Sequence, residues 1–180
     1  MKQCLQFISI LLIILLSLSC SHKISEKAVS LPPIVKLDSL SQKYNIQIDF
    51  MKHHFSGLLI VRKMDDNEIR ILSSTYFGMS LFDFSFQNDQ FIINSCLEPL
   101  RKKKILNLLE MDFKNVFLTG KSSKRKEKSA IFEKRTSGKG FGKSTFYSSD
   151  FSGEAPNRIR IRHPWIRLTI QLDKLNENKP

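Results

Sequence analysis

The stretch Phe55–Leu97, "FSGLLIVRKMDDNEIRILSSTYFGMSLFDFSFQNDQFIINSCL", decides the fold. Four apolar runs are separated by "MDDNE", by Gly78 and by "QND". Short runs broken by turn residues at hairpin spacing read as antiparallel strands joined in sequence. In "MSLFDFSF" the alternation is explicit: Phe82, Phe84 and Phe86 share one face, and Asp83, Ser85 and Gln87 share the other. Just upstream, "NIQIDF" places Ile46, Ile48 and Phe50 on one side. The five runs form a meander.

Outward from the meander, the period changes. Pro32-Pro33 followed by Ile34, Leu37, Leu40 and Tyr44 predicts a short amphipathic helix, since proline is tolerated in a first turn. Downstream, Pro99 opens a longer helix. Its apolar residues Leu100, Ile105, Leu108, Leu109, Phe113, Val116 and Phe117 recur near helical period, and Gly120 ends it. Arg101 to Lys104 fall on its first turn, where they oppose the helix dipole and call for solvent or a partner. "SAIFEKR" and "STFYSSD" pair as a hairpin across "TSGKGFGK". At the C-terminus Ile159 and Ile161 alternate with Arg158, Arg160 and Arg162. After a turn at Pro164, Ile166, Leu168, Ile170 and Leu172 alternate with polar residues. One face is apolar and the other wet, as in an antiparallel sheet solvated on one side. The expected architecture is mainly β with α: about nine strands in a curved antiparallel sheet or half-barrel, closed by one or two helices.

The N-terminus carries a different signal. Lys2 precedes an apolar run from Leu5 to Leu16, and small residues Ser17 and Ser19 follow. That order is a secretory leader, and the run is shorter than the ~20 residues that span a bilayer. "LSLSC" also resembles a bacterial lipobox, with Ser19 before Cys20 and Leu16 one position further out than usual. This divides the chain into a lipoprotein signal peptide at 1–19, a lipidated Cys20 with a polar tether at 20–31, and one domain at 32–180. Cys4 leaves with the leader. Acylated Cys20 leaves Cys96 as the single thiol; unacylated Cys20 permits a Cys20–Cys96 bridge. A lone thiol in an exported domain is expected to be buried and inert.

The formal net charge is +12. Gly120–Ser144 holds nine basic residues against Glu127 and Glu133. Such a segment suits nucleic acid, anionic lipid or plain solvation. Export removes nucleic acid, which leaves solvation or contact of Lys121, Lys124, Arg125, Lys126 and Lys128 with anionic headgroups. "SGKGFGKST" fails as a phosphate-binding loop, because Gly138 to Gly142 leaves three residues where the motif needs four, and a strand follows rather than a helix. His53 and His54 are adjacent and point to opposite faces of a strand, and there is no cysteine cluster, so no metal site is expected. No nucleophile elbow or paired carboxylates stand out. The expectation is a non-enzyme without a cofactor.

Leader, lipobox, tether and a curved meander broken by a helix together resemble the LolA/LolB superfamily of lipoprotein carriers and receptors. "FSGLLIVRKMDDNEIRILSSTYFGMSLFDFSF" is similar to uncharacterised lipoproteins of Bacteroidota-type bacteria, over Tyr44–Phe117 and again Arg158–Leu172. The LolB resemblance implies an incomplete barrel whose cavity holds acyl chains. Leu58, Ile60, Ile69, Ile71, Phe82, Phe84, Phe86 and Phe91 would line that cavity or an ordinary core, since both use the same residue types. It also implies a cargo- or membrane-contacting turn at Phe77, Gly78 and Met79, with Gly78 at positive φ. The expected function is a lipid-anchored receptor or carrier for acyl chains or lipoproteins, at the periplasmic face of the outer membrane. The alternative is an accessory subunit of an envelope complex with a filled core and an arginine face of Arg158, Arg160 and Arg162.

Overall fold

The computed structural model describes residues 31–37, 41–64, 67–88, 90–118 and 123–175. The leader, Cys20, the tether to Ser30, and Leu40, Gly120 and Lys121 lie outside the described residues. The elements are β1 (Gln42–Phe50), β2 (His53–Lys63), β3 (Ile69–Thr75), β4 (Ser80–Gln87), β5 (Gln90–Cys96), α1 (Lys103–Phe117), β6 (Ser123–Lys128), β7 (Phe132–Ser137), β8 (Ser144–Ser152), β9 (Ala155–His163) and β10 (Leu168–Lys174). All ten strands form one curved antiparallel sheet in the order β5-β4-β3-β2-β1-β10-β9-β8-β7-β6, open at both edges. It is two five-strand meanders joined by β1 and β10, where Ile46 pairs with Leu172 and Ile48 with Ile170. α1 connects the meanders and covers one face of the sheet. The expected half-barrel is therefore the observed fold.

Four local readings change. The described part of 32–44 is not helical: Ile34 and Val35 lie in a bend, and β1 begins at Gln42. There the Ile34 and Val35 amides donate to the Asn115 and Val116 carbonyls, 3.2 and 2.8 Å away, and both side chains are buried. A non-helical strap beside α1 thus does the covering expected of a helix, but with Ile34 and Val35 buried and Leu37 only partly so. Secondly, α1 starts at Lys103, and Pro99 belongs to a separate 3-10 turn, Glu98–Leu100. Arg101 and extended Lys102 thus precede the helix. Thirdly, "SKRKEK" forms β6, a tenth strand. Its pairing with β7 uses backbone groups that any side chain can accompany, so composition gave no sign of it.

The fourth change is one of phase. Leu59 and Val61 are fully buried under α1, whereas Leu58 and Ile60 are half-buried on the other face. "GLLIV" is apolar at every position, so it carries no alternation to fix which half faces in. Within it Gly57 is obligatory. A Cβ there would fall 1.9 Å from the Ser74 carbonyl oxygen, next to the register shift at Ser73/Ser74. The absence of a side chain lets β3 cross close over β2 where the sheet bends.

Candidate functional site

The helix-covered face was the expected cavity. Phe82 and Phe84 stack with ring centroids 4.6 Å apart, and Phe113 of α1 sits 5.6 Å from Phe82. Phe91 lies 5.0 Å from Phe84 and 5.1 Å from Phe86. Phe117 reaches Tyr44 at 5.9 Å. Ile71 is buried with them, and Ile69 packs at the margin. α1 side chains therefore occupy the volume over this face, and the residues form packed core. Leu58 and Ile60 are not part of it. Burial pushes the Tyr44 hydroxyl well above its usual pKa, and it donates to Gln42 Oε1 at 2.6 Å. Among the described residues, two buried polar side-chain atoms, Ser73 Oγ and Asn115 Oδ1, find no hydrogen-bond partner.

Beside this aromatic wing lies a polar one, which sequence reading missed. Asp112 of α1, Ser144 of β8 and His163 of β9 meet in the interior, all buried. Ser144 Oγ donates to Asp112 Oδ1 at 2.8 Å, His163 Nε2 is 2.6 Å from Asp112 Oδ2, and His163 Nδ1 is 3.4 Å from Ser144 Oγ. Burial holds the Asp112 carboxyl above the usual carboxylate range, against the hydrogen bonds that lower it. One assignment keeps the cluster uncharged and satisfies each group: Asp112 Oδ2–H donates to Nε2, and Nδ1–H donates to Ser144. The residue types are those of a hydrolase triad. The hydroxyl is wholly enclosed and bonds the carboxyl rather than chiefly the imidazole, so the cluster ties helix to sheet and offers no nucleophile to a substrate. A second tie runs from Asn115 Nδ2 to Ser137 Oγ at 3.3 Å.

The outer face carries an open groove of about 360 Å³, lined by Phe132, Tyr147, Ser149, Arg158, Arg160 and Arg162. Strand alternation puts the three arginines on one row. Arg158 Nε donates to Asp173 at 2.7 Å, which raises the guanidinium pKa, and Arg160 donates to Gln171 at 3.0 Å. The Arg162 side chain makes no hydrogen bond or ion pair with a described residue. Lys134 lies 5.7 Å from the Tyr147 ring. The groove thus offers guanidinium donors above an aromatic floor, suited to a carboxylate or phosphate. On the other meander's outer face, Arg70 pairs with Asp83 at 2.7 Å, and that contact lowers the Asp83 pKa.

The Phe77 turn has the expected form. The Gly78 amide donates to the Thr75 carbonyl at 3.0 Å, and Gly78 has φ +83°. Phe77 is 99% exposed and Met79 is exposed beside it. Of the basic segment, Lys128 is exposed, and Lys124, Arg125 and Lys126 are described only as strand backbone. The "GKGFGK" loop is the β7–β8 turn. His54 bonds Asp49 at 2.6 Å, and His53 stacks on Phe55. Among the described residues there is no group of three metal ligands, and no helix is long and apolar enough to cross a membrane. Cys96 is half-buried rather than enclosed, and burial pushes its thiol up to about 11, where it is a poor nucleophile.

No family model matches the chain, and no curated protein matches it. Among solved structures, the Mycobacterium tuberculosis lipoprotein LppX aligns over 78% of this chain and 87% of its own, at 11% identity and a TM-score of 0.31. A likeness of that size carries no argument about ligand or role.

Proposed function

We propose that the chain is a non-catalytic binding protein of the bacterial envelope, lipid-anchored at Cys20, with a filled core and its recognition surface on the outer arginine groove. The observation that carries this reading is the contrast between an interior occupied by Phe113 and its neighbours and an open groove with Arg162 unengaged. The partner would be an envelope protein presenting carboxylates. Crosslinking in cells tests it. Arg160→Glu with Arg162→Glu should abolish the crosslinked adduct while cooperative unfolding is kept. An adduct undiminished by charge reversal rules the groove out.

A second reading keeps the interior as the site: α1 lifts, and an acyl chain or lipoprotein enters at the periplasmic face of the outer membrane. The exposure of Phe77 and Met79 on a glycine turn favours it, since such a turn can meet an apolar cargo. Its test is mass spectrometry of lipid co-eluting with the purified chain. Lipid-free protein that ignores acyl probes ends this reading, whereas bound lipid would displace the first.

A further inference from the structure

Topology brings four turns of the sheet to one end: β1–β2, β3–β4, β7–β8 and β9–β10. Among the described residues, those turns hold most of the exposed large apolar side chains: Met51, Tyr76, Phe77, Met79, Phe141 and Trp165. Among the described turns at the other end only Ile131 is comparable. The clustering is physical as well as topological. Phe141 and Trp165 meet edge to face at 5.5 Å while remaining 75% and 63% exposed. The Met51 amide lies 3.4 Å from the Arg167 carbonyl, which joins two of the turns.

The same end is basic. Lys52, Lys139, Lys143 and Arg167 are exposed on these turns, and the run Arg101–Lys104 is exposed where β5 gives way to α1. Two exposed carboxylates lie there, Glu98 and Asp49, and Asp49 is engaged by His54. α1 begins at this end with no acidic residue in its first turn and no side-chain cap. Lys103 and Lys104 therefore oppose the helix dipole in water, a conflict that an external layer of negative charge relieves.

We infer that this rim docks on an anionic lipid bilayer, with Phe77, Met51, Phe141 and Trp165 entering the headgroup–acyl boundary and the surrounding cations on the phosphates. Aromatic and methionine side chains mixed with Lys and Arg fit an interface that is apolar below and anionic above. Single exposed apolar residues on a monomer need no explanation, but this end presents them together among an excess of positive charge. The proposal holds whether the groove or the interior is the binding site.

Trp165 is the single tryptophan of the chain, so its emission reports the rim directly. The experiment uses the full chain carrying Cys20→Ala, which removes acyl anchoring, with vesicles of phosphatidylglycerol and phosphatidylethanolamine, and with neutral phosphatidylcholine vesicles beside them. The expected result is a blue shift of Trp165 on anionic vesicles alone, with quenching by lipids brominated along the acyl chain. Lys52→Gln and Arg167→Gln should each weaken the binding about fivefold, and Phe77→Ser with Met51→Ser should weaken it without altering cooperative unfolding. Vesicle-bound protein with unshifted, unquenched Trp165 would mean attachment elsewhere and overturns the proposal. Equal shifts on neutral vesicles, or no binding at all, overturn it too.

Discussion

The two wings of the interior differ in kind. Over β3–β5, α1 meets the sheet through Phe82, Phe84, Phe91 and Phe113, and over β7–β9 it meets it through Asp112, Asn115, Ser137, Ser144 and His163. Apolar contact is strong but undirected, because rings can slide and repack at modest cost. A closed hydrogen-bond cluster adds little net stability but has one geometry. The aromatic wing therefore supplies most of the driving force that holds α1 down. The polar wing sets its position along the sheet.

Substitutions can separate the two roles. Phe113→Ala should have the largest effect, a loss of about 3–5 kcal/mol in urea unfolding, since it removes a buried ring from the centre of the stack. A loss no greater than that of a polar-wing variant would end the division of labour. Asp112→Ala comes next, at about 3 kcal/mol, because it leaves His163 and Ser144 buried without their partner. Asp112→Asn keeps the shape and can donate to Nε2 and accept from Ser144, so its cost should stay below about 1 kcal/mol.

Acidity distinguishes the inner carboxyl from the outer one. Asp112 holds its proton to a higher pH folded than unfolded. In that interval the folded state binds the extra proton, so the contribution is full below the ordinary carboxylate range and is lost as pH rises through the folded value. Asp83 runs the other way, because Arg70 lowers its pKa: its contribution is present above the ordinary range and is lost as pH falls through the folded value. Unfolding midpoints measured across pH should lose the alkaline-side slope in Asp112→Asn and the acid-side slope in Asp83→Asn. The smallest effect expected is a gain. Ser73→Ala removes an unpartnered hydroxyl from under α1 and should raise stability by roughly 0.5–1 kcal/mol, read from the same midpoints.

The aromatic wing was legible in the sequence and the polar wing was not. Phe82, Phe84 and Phe86 announce a face because their spacing is local. Asp112, Ser144 and His163 are separated by 32, 19 and 51 positions in their pairings, and none stands in a motif. A faint signal existed: Asp112 and Asn115 interrupt the apolar face of α1, and polar residues on a buried face require partners. The Phe77 turn was legible from Gly78. Its neighbours Met51, Phe141 and Trp165 stand in no common local pattern, so nothing in the sequence groups them.

The sequence by itself determined nine of the ten strands, most turns, the long helix and the antiparallel class. These follow from period and turn chemistry within a few residues. Only the tertiary structure decided that Leu59 and Val61 face inward instead of Leu58 and Ile60, that "SKRKEK" adds a tenth strand, that three distant polar residues close a buried ring, and that four turns share one end. The reason is register. Pairing β1 with β10 brings the chain's two halves into one sheet through backbone hydrogen bonds, and those bonds carry no side-chain code.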